Sequence, residues 1–264
     1  MTALILALGS FLLLRPAASP PAPAGPPPMI ARPADRLAVK VLSVRPHDAA
    51  AYTQGLLLRG GALYESTGLY GSSSLREVNP QTGEVQRNVS IPASYFAEGL
   101  ALVGERLIQL TWKEQKAFLY KRADFQPMGE LRYDGEGWGL CFDGRRLVMS
   151  DGSDRLTFRD PQTFAVLGEV HVALDGRPVD QLNELECVEG TVYANVWQTD
   201  DIMRIDAISG RVTAVIDASG LLTPAERRRA DVLNGIAWDP VKKTFLITGK
   251  LWPKMFEVKF GPRL

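Results

Sequence analysis

The sequence predicts an all-β fold over residues 34–264, a five-bladed β-propeller with one short helical insertion in the last repeat. Three observations carry this prediction. A fivefold internal repeat runs through the region. Its 231 residues (264 less 33) divide into repeats of about 46, the length of a four-stranded propeller blade. Within each repeat, short β-favouring runs alternate with turn residues.

The repeat opens with a polar or aromatic residue, then Gly in four cases of five, then Leu or Ile. The openings are Gln54-Gly-Leu, Glu98-Gly-Leu, Trp138-Gly-Leu, Asn183-Glu-Leu and Asn234-Gly-Ile. Subtracting these residue numbers gives spacings of 44, 40, 45 and 51. Strand-like runs follow, such as Leu107-Ile-Gln-Leu-Thr-Trp112, Leu147-Val-Met149 and Val192-Tyr-Ala-Asn-Val-Trp197. Turns of the Pro80-Gln-Thr-Gly83 and Asp160-Pro-Gln-Thr163 kind separate them, Asp, Pro and Gly supplying the bend. One helix signal interrupts the pattern. Thr223-Pro-Ala-Glu226 offers an N-cap, a Pro at the first helical position and a capping-box Glu, which accounts for the longest spacing. Leu37–Val44 and Phe256–Phe260 are expected to pair and close the first repeat onto the last, removing an exposed sheet edge.

The first 33 residues read differently. Thr2–Leu14 is an almost wholly apolar run, too short to span a bilayer as a helix and of the length of a secretory signal core. No basic residue precedes it and Arg15 follows it, so an uncleaved membrane anchor stands beside the signal-peptide reading. Pro16–Pro33, rich in Pro, Ala and Gly, reads as a semi-rigid tether or processed tail. The expected location is therefore exported, periplasmic or secreted.

Composition narrows the function. Thirty Lys plus Arg balance thirty Asp plus Glu, which excludes an electrostatic nucleic-acid binder. Two Cys exclude a disulfide scaffold, and His47 and His171 alone exclude a site built from several imidazoles. No metal site and no cofactor is expected, and the chain is expected to act as a monomer.

In a propeller the strands nearest the axis aim equivalent positions at one central pocket. The opening positions bring Gln54, Glu98, Trp138, Asn183 and Asn234 there. Fourteen residues later come Gly68, Trp112, Gly152 and Trp197 and, with two inserted residues, Lys250. Packing explains the Gly and the Leu of the template but not these non-identical polar residues, so they suggest a site. Trp112, Trp138 and Trp197, with Phe96 and Tyr52 each two positions before an opening residue, would wall an apolar cage. Burial there would raise the pKa of Glu98 toward the range of a proton shuttle, with Lys250 opposing the shift.

Nine blocks between Val41 and Val258 then carry a specific resemblance. They are Tyr52-Thr-Gln-Gly-Leu56, Leu63-Tyr-Glu-Ser-Thr-Gly-Leu-Tyr-Gly71, Phe96-Ala-Glu-Gly-Leu100, Gln109-Leu-Thr-Trp-Lys113 and Gly135-Glu-Gly-Trp-Gly139, followed by Met149-Ser-Asp-Gly-Ser153, Leu182-Asn-Glu-Leu-Glu186, Asn195-Val-Trp-Gln-Thr-Asp200 and Thr248-Gly-Lys-Leu-Trp-Pro-Lys254. The chain resembles the plant-type and bacterial glutaminyl-peptide cyclotransferases, five-bladed propellers unrelated to the zinc-dependent animal enzymes. The resemblance implies metal-free conversion of N-terminal glutaminyl residues of peptides and proteins to pyroglutamate, with release of ammonia. It implies Glu98 as general acid and base, and Asn183 and Lys250 as holders of the amide oxygen and developing charge. Gln54 would orient the substrate, and Phe96, Trp112, Trp138 and Trp197 would fold it toward a ring. Tyr52 departs from the Phe of plant members and adds a hydroxyl to the pocket.

Plainer readings sit beside these. Taken alone, Glu98 is a carboxylate satisfying turn amides, and Lys250 a surface strand-end lysine; the register moves both to the site. Trp238 and Trp252 are expected in the core or at its rim, and Glu65, Glu136, Glu184 and Asp151 as supporting hydrogen-bond acceptors. Cys141 and Cys187, at different register positions, are expected as buried free thiols. His47 and His171 read as ordinary turn and strand residues, and Arg227-Arg-Arg229 as a solvated helix face. Two other functions compete: a calcium-dependent propeller lactonase or esterase, disfavoured because Lys250 would repel a dication, and a non-catalytic propeller that binds peptide ends.

Overall fold

The computed structural model describes residues 32–262, so the expected leader and nearly all of the tether lie outside the described residues. The described chain is almost wholly β. Three antiparallel four-stranded sheets come first in sequence order: Thr53–Arg59, Ala62–Thr67, Ser74–Val78 and Val85–Ser90; then Ala97–Val103, Arg106–Thr111, Lys116–Lys121 and Pro127–Arg132; then Leu140–Phe142, Leu147–Ser150, Arg155–Arg159 and Val166–His171. Burial falls from the first strand of a sheet to the last. Thr53–Leu57 is buried throughout, whereas Val85–Ser90 alternates between exposed and half-buried. Inner strands are covered on both faces by neighbouring sheets and so read as continuous apolar runs, while outer strands keep the period of two.

An eight-stranded sheet holds the remaining long strands. Leu182–Val188, Thr191–Val196, Asp201–Asp206 and Val212–Asp217 form one half, and Lys254–Pro262, Thr244–Gly249 and Leu233–Asp239 belong to the other. Asp35–Pro46 lies between them. It pairs antiparallel with Lys254–Pro262, from Leu37 opposite Pro262 to Pro46 opposite Lys254, as the two segments were expected to pair. Its other edge runs parallel to Val212–Asp217, a pairing that no sequence period announces. Thr223 caps the short helix Pro224–Arg227, with both hydrogen bonds of the capping box in place. Among the described residues no helix is long and apolar enough to cross a membrane.

The first strands of successive units pack side by side, and Leu233–Asp239 packs against Thr53–Arg59. The repeat's glycine is explained there. A Cβ on Gly55 would lie 2.6 Å from Leu100 N, one on Gly99 2.5 Å from Leu140 N, and one on Gly139 2.0 Å from Asn183 O. Backbones meet at these points, and only Gly leaves room. In the fourth repeat the glycine is replaced by Glu184, whose side chain reaches across instead. Its two oxygens accept the backbone N–H of Leu56 (3.2 Å) and of Ile236 (2.8 Å), in the first and last repeats. Burial, with neighbouring Glu186, pushes its pKa well up. On these strands and the ones that follow them, Leu56, Leu63, Leu100, Leu107, Leu140 and Leu147 are fully buried, each contributing about 1.5–3 kcal/mol by removal from water.

Two expectations are corrected. His47 is no ordinary turn residue: it is buried, with Nε2 3.0 Å from Glu65 Oε1 and Nδ1 2.7 Å from Trp252 O. Burial opposes charge on both side chains, but their attraction overcomes it, raising the His47 pKa and lowering that of Glu65. Cys141 and Cys187 are not free thiols; they form a disulfide with Cα atoms 5.5 Å apart. Their register positions differ by one residue, but their inner strands are neighbours, and the strand bearing Cys187 carries an irregularity between Leu182 and Leu185. Spatial adjacency therefore outweighs the mismatch in register.

The disulfide closes a loop spanning 46 residues. Loop entropy predicts that Cys141→Ala with Cys187→Ala lowers stability by about 4 kcal/mol, or roughly 8–16 °C in melting temperature for a domain of this size. Thermal unfolding of both forms, with and without reductant, measures it; a double variant melting with the wild type under oxidising conditions would contradict it.

Candidate active site

Local irregularity aims the site residues. The inner strands shift register between Thr53 and Gly55, between Ala97 and Leu100, and between Leu182 and Leu185. A bulge leaves residues unpaired and re-aims their side chains, and these bulges contain Gln54, Glu98 and Asn183. Backbone hydrogen bonds repeat around the same end of the fold. Trp112 N donates to Phe96 O (2.8 Å), Trp197 N to Gln181 O (2.8 Å) and Lys250 N to Val232 O (2.9 Å). Each ties the residue after a second strand to the segment before the corresponding first strand.

Nine of the ten polar and aromatic residues that the sequence aims at the pocket line a single cavity of about 290 Å³: Tyr52, Gln54, Phe96, Glu98, Trp112, Trp138, Asn183, Trp197 and Lys250. Its polar members, Gln54, Glu98, Asn183 and Lys250, are buried, and its aromatic members are half-buried. The cavity thus has a desolvated polar floor beneath an aromatic wall. A larger cavity of about 540 Å³ lies among Arg45, Arg59, Gln81 and Lys242, so chemistry rather than size distinguishes the site.

Asn234 Nδ2 donates to Gln54 Oε1 (3.2 Å) and to Thr53 O (2.9 Å), and Gln54 Nε2 donates to Glu98 Oε1 (2.9 Å). This chain orients the Gln54 amide and leaves Glu98 Oε2 for other partners. Burial pushes the Glu98 pKa well up; Lys250 opposes the shift, and Glu136 and Glu114 add to it. Burial pulls the Lys250 pKa down against the attraction of Glu98 and Asp231. The two groups are driven toward each other's range, the carboxyl up and the ammonium down, which favours proton exchange. Asn183 Oδ1 is buried without a protein partner, a deficit of about 1–3 kcal/mol for such a group. A ligand N–H entering the cavity would relieve it.

The walls interlock edge to face, as aromatic quadrupoles prefer. Phe96 meets Tyr52 at 6.2 Å and Trp112 at 5.5 Å between ring centroids, and Trp138 meets Trp197 at 5.7 Å. Lys250 Nζ lies 4.9 Å from the Tyr52 ring centre. Three neighbours were not assigned to the site from the sequence. Asp231 stands beside Tyr52 and adds to the effect of burial in raising the pKa of its hydroxyl. Tyr70 packs edge-on against Phe96 at 5.3 Å and donates to Glu114 Oε1 (2.8 Å). Tyr70 falls inside a block already quoted for the resemblance, but Asp231 lies in the irregular stretch after the helix, where no repeat position marks it. Asn234, from an opening position, supports Gln54 without lining the cavity. Trp252 is core, and Asp151 holds a turn through Ser153 and Arg155.

Comparisons with known proteins point to one family. A family profile described as glutamine cyclotransferase matches residues 11–260. A glutaminyl-peptide cyclotransferase of Arabidopsis thaliana is 44% identical over 226 residues, which cover 84% of this chain and 71% of the relative. The crystal structure of Myxococcus xanthus glutaminyl cyclase matches with a TM-score of 0.78 at 42% identity, over 86% of this chain and 98% of that one. By profile, sequence and fold together, the chain belongs to the glutamine cyclotransferase family.

Proposed function

We propose that this protein is a glutaminyl-peptide cyclotransferase acting on peptides or proteins with an N-terminal glutaminyl residue, with Glu98 as its general acid and base. The observation that carries the reading is a single buried carboxyl beside a buried lysine under an indole wall, in a family of that activity. The substrate's α-amine attacks its own γ-carbonyl carbon. A C–N bond forms to close the five-membered ring, and the bond to the amide nitrogen breaks. Glu98 takes the proton that the attacking nitrogen loses and returns it to the departing nitrogen, which leaves as ammonia. The enzyme ends as it began. Lys250 faces the negative charge that develops on the carbonyl oxygen. The unpartnered Asn183 Oδ1 accepts an N–H of the substrate amine or carboxamide. The aromatic wall restricts the glutaminyl side chain to conformers near the ring, a contribution that can reach several kcal/mol.

The same proposal extends to architecture and location. The five first strands and their closing contacts support a five-bladed propeller, with Pro224–Arg227 as a helical insertion in the last repeat. The Cys141–Cys187 disulfide supports an exported protein, because oxidising compartments preserve such bonds. Residues 1–33 would then serve as signal or anchor plus tether before one catalytic domain acting as a monomer. Mass spectrometry of the protein recovered from cell fractions checks location and leader together.

Three outcomes test the chemistry by ammonia release from a glutaminyl dipeptide. Glu98→Gln is expected to lower kcat by about 10²–10⁴ with the fold intact; a wild-type rate in that variant would remove Glu98 from its role. The low-pH limb of kcat/KM requires unprotonated Glu98 and the neutral substrate amine. Lys250 favours the carboxylate, so Lys250→Gln raises the Glu98 pKa and moves that limb to higher pH; a limb displaced downward would contradict the coupling. Trp112→Ala and Trp197→Ala are expected to raise KM about tenfold or more while melting temperature changes by a few degrees, since both rings are only half-buried. Gross unfolding instead would return both indoles to the core.

A further inference from the structure

The third repeat departs from the first two in a specific way. In those repeats an aromatic wall residue, Tyr52 or Phe96, stands two positions before a polar opening residue, Gln54 or Glu98. In the third the two kinds are exchanged: Trp138 takes the opening position, and Glu136 stands two before it. The exchange brings a carboxylate to the aromatic wall. Glu136 Oε2 accepts the indole N–H of Trp112 (2.8 Å) and that of Trp138 (3.0 Å). Ring contacts among the described residues run from Tyr52 through Phe96 to Trp112, and separately from Trp138 to Trp197. Glu136 spans the break between these two series.

Its placement is firmly determined. Gly137 N donates to Trp112 O (2.8 Å), and a Cβ on Gly137 would lie 2.3 Å from Tyr133 Oη and 2.8 Å from Thr111 O. The loop before Trp138 is therefore pressed against the end of the strand that leads into Trp112, and only Gly fits. On the solvent side Lys113 Nζ lies 3.7 Å from Glu136 Oε1 and 3.9 Å from the Trp112 ring centre. That pair is exposed and adds little to stability. The indole bonds are charge-assisted and are the stronger ones.

We infer that Glu136 is a positioning residue of the cyclotransferase, fixing the Trp112 and Trp138 indoles at the separation that folds the glutaminyl side chain. The inference rests on the cyclotransferase reading and adds a residue to it. A second consequence is electrostatic. Glu98 is faced by the Lys250 ammonium, by the Glu114 and Glu136 carboxylates, and by the phenols of Tyr52, Tyr70 and Tyr133. Lys250 favours its carboxylate form, and Glu114 and Glu136 disfavour it.

Ammonia release from glutaminyl-glycine by wild type, Glu136→Gln and Glu136→Leu, from about pH 5 to about pH 9, tests this. The Gln amide oxygen can accept both indole N–H groups, so its KM is expected within about threefold of wild type. Its low-pH limb is expected to move to lower pH, because one negative charge facing Glu98 is gone. Leu keeps the volume but accepts nothing, and KM is expected to rise about tenfold or more, with kcat affected less. A Leu variant with wild-type KM, or a Gln variant as impaired as Leu, overturns the inference while wild-type activity stands. A Gln variant whose KM rises about tenfold also overturns it, so the isosteric variant decides even if Glu136→Leu fails to fold. An unmoved limb in Glu136→Gln overturns the electrostatic consequence. No ammonia from the wild type overturns this inference together with the reading beneath it.

Discussion

Backbone contact between neighbouring inner strands is the constraint on which the molecule depends. At Gly55, Gly99 and Gly139 a methyl group would overlap the next strand's backbone. Strands that meet this closely bring their N-terminal ends together, and the register shifts at those ends turn Gln54, Glu98 and Asn183 inward. The active-site candidate is thus a by-product of how tightly the first strands pack. Where the glycine is missing, Glu184 completes the contact by reaching the amides of Leu56 and Ile236, so one position serves two different solutions to the same spacing.

The same packing sets the chemistry. A carboxyl and an amine buried under indoles lose hydration that neither fully recovers from the other, and their pKa values shift in opposite directions. Exposed, Glu98 would be ionised and Lys250 protonated throughout the physiological range, and neither would exchange a proton readily. The aromatic wall is thus an electrostatic device as well as a mould for the substrate.

Much of the fold and of the site is legible in the sequence. The template marks five inner strands, and the aromatic, amide, acid and lysine positions counted from it line the cavity, except Asn234, which supports Gln54 from behind. They were legible because each repeat places its site residue at a fixed distance from a packing residue. The same counting misjudged Cys141 and Cys187, whose offset in register hides neighbouring strands. It also passed over His47, whose partners Glu65 and Trp252 come from segments with no periodic relation to it.

By itself the sequence determined the all-β class, the places of the inner strands, the pairing of the first and last strands, and the nine residues that line the cavity. Local periodicity, turn chemistry and one repeated close contact specify all of these. Tertiary structure alone decided the parallel edge between Asp35–Ala38 and Ala214–Asp217, the disulfide, the approach of Asp231 to Tyr52 and the sharing of Glu136 between two indoles. Each of those depends on which chain segments become neighbours across separate sheets. Repeat spacing describes a residue's place within its own unit, and only the closed packing of units sets what stands beside it.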